Sequence, residues 1–190
     1  ILNTHWHPDH TQGNAMIQAA TGCEIVGPEE VRRAAPLDRV VAGGEVVTLG
    51  ETRFEVTPTP GHTLGHVVFR SAADDIAFVG DTLFPLGCGR LFEGTPEQMW
   101  DSLQTIAAWP DDTVLYGAHE YTAANARFAL SLDDQPEMAA HAAEIFARRE
   151  RDEPTEPTVL SIEKRFNPFL RAADAADFAA RRAAKDAFKG

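Results

Sequence analysis

A cluster of histidine and aspartate residues near the start of the chain has the composition of a metal site. Three histidines and one aspartate lie within six residues, as His5, His7, Asp9 and His10. Neutral imidazole is the commonest metal ligand in proteins, and mixed His/Asp sets suit zinc or a similar transition metal. His5 and His7 are two residues apart, so an extended backbone would point both to the same side. Asp9 and His10 must then turn towards a second centre.

Three further candidate ligands follow segments that are predicted to be strands. They are His62, Asp81 and His119. The cluster at residues 4–10 itself lies between a short apolar stretch and a predicted helix. Functional side chains are commonly carried on loops that a rigid scaffold positions. We therefore expect an α/β scaffold that brings these loops together.

The complete pattern resembles a known superfamily. Thr-His-x-His-x-Asp-His at residues 4–10, followed by single residues His62, Asp81 and His119, resembles the signature of the metallo-β-lactamase superfamily. This resemblance implies an α/β fold, the αββα sandwich, with a helical region after it. It also implies strands before residue 1 that this sequence lacks. We expect either a fragment or another way of covering that edge of the sheet, because a bare edge favours aggregation.

The resemblance distributes the candidate ligands over two metal ions. It places His5, His7 and His62 on one ion. It places Asp9, His10 and His119 on the other, with Asp81 and a hydroxide between the two ions. A water shared by two cations loses a proton near neutral pH and becomes a nucleophile. We expect two divalent ions, zinc first and iron or manganese as alternatives, with Asp9 and Asp81 as the catalytic carboxylates.

A second motif resembles the glyoxalase II branch, the hydroxyacylglutathione hydrolases. Residues 87–95, GCGRLFEGT, are similar to the segment GCGKFYEGT of that branch. The resemblance implies that Arg90 holds glutathione. Phe92 stands where the family usually has tyrosine, which keeps an aromatic surface but loses the hydroxyl. Tyr121 matches a second tyrosine that contacts glutathione.

The C-terminal part of the chain carries further family features. Residues 167–171, NPFLR, resemble a C-terminal motif of the branch, and Arg182 and Lys185 match a pair that grips the glycine carboxylate of glutathione. Three residues apart on a predicted helix, the two cations share a face. An arginine can also bind a carboxylate through two hydrogen bonds. The alternative is an ordinary solvated Arg/Lys cluster. The presence of Arg90 and Tyr121 favours the glutathione-binding interpretation over it.

These features together predict a function and a domain organisation. We expect a metal-binding domain at residues 1–119 and a helical glutathione-binding region at 120–190. Past His119 the pattern predicts helices and no strand, with helices near 121–132, 136–151 and 174–189. The predicted reaction is hydrolysis of S-(2-hydroxyacyl)glutathione, typically S-D-lactoylglutathione, to glutathione and a 2-hydroxy acid, D-lactate.

Composition limits the partners. The formal net charge is −12, which disfavours nucleic acid because phosphate contacts need a basic surface. No apolar run is long enough to span a membrane. Two cysteines, Cys23 and Cys88, form no disulfide framework, which favours a reducing, cytoplasmic location. We expect a small-molecule glutathione thioester as partner, no nucleic acid or membrane, and a monomer or a weak homo-oligomer.

Several alternatives stay open at this point. A persulfide dioxygenase shares the His/Asp motif but uses a single iron, and it lacks the NPFLR and Arg-x-x-Lys elements. A non-catalytic metal- or glutathione-binding fragment is a second alternative. The net charge disfavours a nuclease, and the intact His/Asp set disfavours a β-lactam hydrolase. For His66 we favour a structural role over a supporting role at the metals, and for Cys88 we expect no catalytic role, since no free histidine would activate it.

Overall fold

Ten strands, seven α-helices and one 3₁₀-helix make up the computed structural model, which describes residues 1–190. The strands, in chain order, are β1 (Val26–Gly27), β2 (Arg39–Val40), β3 (Val46–Leu49), β4 (Thr52–Pro58), β5 (Val67–Ser71), β6 (Ile76–Gly80), β7 (Leu83–Phe84), β8 (Gly87–Cys88), β9 (Val114–Gly117) and β10 (Thr158–Val159). The α-helices are α1 (Pro8–Thr11), α2 (Asn14–Thr21), α3 (Pro96–Ala107), α4 (Thr122–Leu132), α5 (Pro136–Glu150), α6 (Leu160–Phe166) and α7 (Ala175–Ala187). A 3₁₀-helix spans Glu29–Arg33. No helix is both long and apolar enough to cross a bilayer.

A six-stranded mixed sheet forms the centre of the fold, in the order β10-β9-β6-β5-β4-β3. Strands β3 to β6 are antiparallel neighbours, while β6 and β9 are parallel and bring Gly80 opposite Gly117. Parallel neighbours end at the same edge of a sheet. Asp81 and His119, which follow these two strands, are therefore carried to the same edge.

The expected α/β class is confirmed, although only one large sheet is present. Beside it lies a short parallel ladder of β1 and β2, which Leu2 extends by a single bridge to Val26. Residues 1–3 thus contribute an isolated bridge and no full strand. The segment then turns at once into α1, which begins at Pro8, where the missing N–H of proline costs no hydrogen bond.

The expectation of a strand-free C-terminal region was wrong. Strand β10 lies between helices and pairs antiparallel with β9 through Thr158 and Val159. Two residues are too few to show a period in the sequence. The short β7–β8 hairpin and helix α6 were also not predicted. Helices α4, α5 and α7 agree with the predicted helices to within two residues at each end.

One hydrophobic core connects the sheet with the C-terminal helices. Its fourteen buried residues include Val79 of β6, Leu103 of α3, Phe128 of α4 and Phe178 of α7. Helix α3 is fixed at its start by a capping box between Thr95 and Gln98. The sheet and the region after residue 119 therefore bury their apolar surfaces against each other, which makes the position of one depend on the other.

A buried polar network fixes the turn between β7 and β8. The Asn167 side-chain amide donates to the backbone carbonyls of Phe84 and Gly87 and to Glu163, at 2.9 to 3.1 Å. Glu163 also accepts the backbone N–H of Leu86 at 2.8 Å. Both polar side chains are at most 1% exposed. Burial raises the pKa of Glu163, and the hydrogen bonds that it accepts oppose that rise. Helix α6 thereby positions the segment that leads to Arg90.

Replacement of Asn167 by aspartate tests this network. Asn167→Asp keeps the side-chain shape but removes the donor and places a second carboxylate beside Glu163. We expect the free energy of unfolding to fall by about 3–5 kcal/mol, because buried acceptors and a buried charge lose their partner. Urea unfolding measures the change. Asn125→Asp is the matched control, since Asn125 makes one such bond, to Pro85, and should cost less. Equal stability of wild type and Asn167→Asp would contradict the account.

Candidate metal centre and active site

Three imidazoles from two loops meet at a first centre. Nδ1 of His7 lies 3.1 Å from Nε2 of His5 and 2.9 Å from Nε2 of His62. His5 and His7 come from the segment before α1, and His62 comes from the loop between β4 and β5. Nδ1 of His7 carries at most one hydrogen, so a protein hydrogen bond can join it to only one of the two neighbouring nitrogens at a time unless a neighbour donates. Protein hydrogen bonds alone therefore do not satisfy the three nitrogens. Three converging nitrogen lone pairs suit a metal ion.

A second centre lies beside the first. Nε2 of His10 and Nε2 of His119 are 3.2 Å apart. Oδ2 of Asp9 is 3.5 Å from the His10 nitrogen and 3.4 Å from the His119 nitrogen. These three residues form a second group with ligand atoms close enough to hold one ion. The structure brings His119 across more than a hundred residues of sequence to meet the N-terminal cluster, through the parallel pairing of β6 and β9.

Asp81 lies between the two centres. Its Oδ2 is 3.3 Å from His62 Nε2 and 3.5 Å from His119 Nε2, and its Oδ1 is 3.2 Å from His10 Nε2. The carboxylate is only 6% exposed. Oδ1 accepts no hydrogen bond of good geometry, despite its closeness to His10. A buried carboxylate oxygen without a partner is costly in a protein unless something else binds it.

The electrostatics favour the metal-binding form of His5, His62 and Asp81, but not of His10. Burial would lower the pKa of His10, yet its contact with Asp81 and the charges of Asp81 and Asp9 raise it. Burial, followed by repulsion from the neighbouring histidines, lowers the pKa of His5 far below its usual value. Burial also lowers the pKa of His62. Burial would raise the pKa of Asp81, but its close contact with His10 and the nearby histidine charges lower it. Neutral imidazoles and ionised carboxylates are the states that ligate a metal.

Groups behind the ligands orient them. His62 donates from Nδ1 to the backbone carbonyl of Arg90 at 2.9 Å, which leaves Nε2 as a lone pair facing the cluster. Nδ1 of His5 lies 3.1 Å from the hydroxyl of Thr4. Such outer partners fix the ring orientation in metal sites. Gly89 also packs against this region, and a Cβ there would lie 1.9 Å from the Asp81 carbonyl. The donor set and its supports therefore fit a pair of divalent cations.

A cavity of about 660 Å³ opens from the metal cluster towards α7. Three cations line it, Arg90, Arg182 and Lys185, together with the carboxylate of Asp186. Arg182 is buried and donates to the Cys88 carbonyl at 3.0 Å and to Asp186 at 2.7 Å. Burial, and then the charges of Arg182 and Arg90, lower the pKa of Lys185 to about 8. An anionic ligand beside Lys185 would raise this pKa again.

Two exposed aromatic rings flank the cluster. Phe92 is 63% exposed and meets the rings of His7 and His62 edge-on, at centroid distances of 5.4 and 5.3 Å. Tyr121 is 50% exposed and stacks on His119 at 4.9 Å. Apolar rings left exposed beside a polar cavity offer stacking surface to a ligand. The cavity therefore combines metal ligands, cations and aromatic surface.

Comparison with known proteins assigns the family. A model of the metallo-beta-lactamase superfamily matches residues 1–119, and a model of the hydroxyacylglutathione hydrolase C-terminus matches residues 120–189. A hydroxyacylglutathione hydrolase from Erythrobacter litoralis is 51% identical, over 99% of this chain and 80% of that protein. Another from Maricaulis maris is 54% identical, over 93% of this chain and 70% of that protein.

This chain belongs to the hydroxyacylglutathione hydrolase family. Its fold is also similar to the crystal structure of ETHE1 from Myxococcus xanthus, with a TM-score of 0.70 and 26% identity, over 96% of this chain and 67% of that one. The metallo-beta-lactamase superfamily implies divalent metal binding. The resemblance predicted from the sequence is thus confirmed at the level of family and fold.

For this member of the glyoxalase II family, the structure brings all the predicted site residues into one region. The seven candidate ligands converge, and the five predicted substrate contacts line the same cavity: Arg90, Phe92, Tyr121, Arg182 and Lys185. Their roles remain predictions. Cys88 also lines the cavity, but burial raises the pKa of its thiol to about 11, so it is no nucleophile at neutral pH.

Sequence reasoning missed several residues of the cavity, among them Phe84 and Asp186. Phe84 packs edge-on against the stacked pair of His119 and Tyr121, with ring centroids 6.0 and 5.4 Å from theirs. Asp186 pairs with Arg182 at 2.7 Å and lies 3.8 Å from Arg90. Asp186 stands beside Lys185 in the C-terminal motif, and that adjacency was the available signal. No local pattern points to Phe84, because its neighbours come from distant segments.

An Asp81→Asn variant tests the two-ion arrangement. Asparagine keeps the size of the side chain but removes the charge between the two centres. We expect the metal content after dialysis to fall below two ions per chain, with elemental analysis as the measurement. Asp75→Asn, at an exposed turn, is the matched control and should retain the wild-type content. Unchanged metal content in Asp81→Asn would show that this carboxylate holds no ion.

Proposed function

We propose that this protein hydrolyses S-(2-hydroxyacyl)glutathione, with S-D-lactoylglutathione as the typical substrate and glutathione and D-lactate as products. The observation that carries the proposal is a single cavity that joins the His/Asp cluster to a cationic, aromatic region. Residues 1–119 would form the metal-binding domain and residues 120–190 the glutathione-binding region. The names of the 51–54% identical relatives support the reaction class.

The residues that would hold the metals form two sets. One set is His5, His7 and His62, and the other is Asp9, His10 and His119, with Asp81 shared by both. When bound, two divalent ions would lower the pKa of a coordinated water and polarise the thioester carbonyl. We propose zinc first, with iron or manganese as alternatives, because mixed His/Asp sets suit these metals.

The substrate would be held by charge and by stacking. Glutathione carries carboxylates at both ends, and Arg90 and Lys185 are cations of the cavity with side chains that reach solvent. Arg182 donates hydrogen bonds to the Cys88 carbonyl and to Asp186, so it would hold this side of the cavity in place more than it would contact the substrate. Phe92 and Tyr121 supply aromatic surface on two sides of the metals.

The metal and substrate regions are mechanically linked. His62 donates to the backbone carbonyl of Arg90, so one imidazole is oriented by the residue proposed to bind glutathione. The bond to be broken would therefore be held at a fixed position relative to the ligands, which is how positioning lowers a reaction barrier. A thiolate is a good leaving group and needs little help from a general acid.

Other features of the proposal concern partners and location. We propose a small-molecule thioester as the partner, a monomer or weak homo-oligomer, and the cytoplasm as the location. Two free cysteines support a reducing compartment. The persulfide dioxygenase alternative predicts a single iron per chain. The match of residues 120–189 to the hydroxyacylglutathione hydrolase C-terminus favours the thioester hydrolase.

Steady-state kinetics with S-D-lactoylglutathione test the proposal. Arg90→Ala and Lys185→Ala should each raise KM about tenfold or more with a smaller change in kcat, since each removes a charge-assisted contact. Asp81→Asn should lower kcat. Arg165→Ala, which removes a cation paired with Glu137 outside the cavity, is the control and should match wild type. Metal-loaded wild type that binds glutathione but releases no product would favour the non-catalytic alternative.

A further inference from the structure

A buried histidine outside the ligand sets contacts the backbone of the proposed bridging residue. His66 immediately precedes β5 and is completely buried. Its Nε2 accepts the backbone N–H of Asp81 at 3.1 Å. It belongs to none of the groups whose atoms converge on a possible metal position. The metal chemistry described above makes no use of it.

The hydrogen bonds around His66 fix its tautomer. A backbone N–H can only donate, so Nε2 must accept and the ring hydrogen must lie on Nδ1. Nδ1 lies 2.9 Å from the hydroxyl of Thr59 and 3.2 Å from that of Thr82. Thr82 donates its own hydrogen to Thr59 at 2.9 Å. The two hydroxyl oxygens can therefore accept the Nδ1 hydrogen, and both threonines are completely buried.

The backbone on either side of this contact is also constrained. The N–H of Thr59 donates to the carbonyl of His66 at 2.8 Å, which joins the ends of β4 and β5. Gly80 precedes Asp81 with a φ of +50°, and a Cβ there would lie 2.8 Å from His66 Nε2. Only glycine adopts this conformation at this distance without strain. The turn after β6 is thus held directly against the imidazole.

The same ring touches a ligand of the first centre. The rings of His66 and His5 are stacked, with centroids 4.9 Å apart and an interplanar angle of 29°. One imidazole therefore contacts the backbone of Asp81 on one side and the face of His5 on the other. A residue that only filled space would need neither the hydrogen bond to Asp81 nor a defined tautomer.

We infer that His66 is a positioning residue, which holds the Asp81 carboxylate between the two proposed metal positions through the Asp81 N–H and the hydroxyls of Thr59 and Thr82. The inference rests on the proposed function, because it assumes that Asp81 ligates metal. Loss of an outer partner of a ligand typically weakens metal affinity about 10- to 100-fold. His66 makes no hydrogen bond or ring contact with the five proposed substrate contacts, so KM should change little while kcat follows metal occupancy.

Two conservative variants separate positioning from space filling. His66→Gln can place an amide oxygen near the position of Nε2 and still accept the Asp81 N–H. His66→Asn is shorter and reaches only the position of Nδ1, so it keeps the threonines and loses Asp81. The double variant Thr59→Val/Thr82→Val keeps the imidazole and removes both acceptors of its Nδ1 hydrogen. Together they interrupt the chain of contacts at different points.

Metal retention during titration with a chelator is the primary measurement, with zinc as the probe. We expect His66→Asn to release metal at about 10- to 100-fold lower chelator concentration than wild type, and His66→Gln to retain most of the affinity. The double valine variant should lose affinity in the same direction. Urea unfolding of the metal-free proteins reports any loss of packing separately.

The outcomes are decisive in both directions. Wild-type retention by His66→Asn, or identical losses in the Asn and Gln variants that follow their stability alone, would overturn the positioning role. If both histidine variants fail to fold, wild-type retention by the double valine variant would overturn it. Asp81→Asn, measured alongside, keeps the two proposals apart. If Asp81→Asn also retains metal as wild type does, Asp81 holds no ion and the proposed two-ion centre is wrong. A loss of metal only in Asp81→Asn contradicts the His66 inference alone.

Discussion

The site depends on one buried carboxylate that lies among three imidazoles. Asp81 is within 3.5 Å of ring nitrogens from His10, His62 and His119, and one of its oxygens has no good hydrogen-bond donor. A buried carboxylate of this kind is stable only if positive charge lies beside it. The parallel pairing of β6 and β9 delivers Asp81 and His119 to the same edge. The rest of the fold supports this meeting point.

The C-terminal helices contribute to the site through buried polar groups as well as through shared apolar core. Asn167 and Glu163 fix the turn between β7 and β8, and Arg182 holds the Cys88 carbonyl on the adjoining strand. Gly89, the next residue, packs against Asp81. The carbonyl of Arg90 accepts a hydrogen bond from His62. A substitution in α6 can therefore alter the metal site without touching a ligand.

The sequence predicts which side chains converge, because the residue types and local spacing of the candidate ligands carry the signal. His5, His7, Asp9 and His10 are close in the chain, and a strand-to-loop context predicts the place of His62. It does not predict the pairing of β9 with β10, which joins distant segments through two residues. Glu163 lies in a segment where the sequence predicts no helix, and only the fold shows that it is buried. His66 has no local feature that separates a structural histidine from one that positions a ligand.

A crystal structure of the zinc-loaded protein, with anomalous differences measured at the zinc absorption edge, tests the central claim most directly. The account predicts two anomalous peaks, one among His5, His7 and His62 and one among Asp9, His10 and His119, with the Asp81 carboxylate between them. A single peak, or two peaks with Asp81 turned away from both, would contradict it.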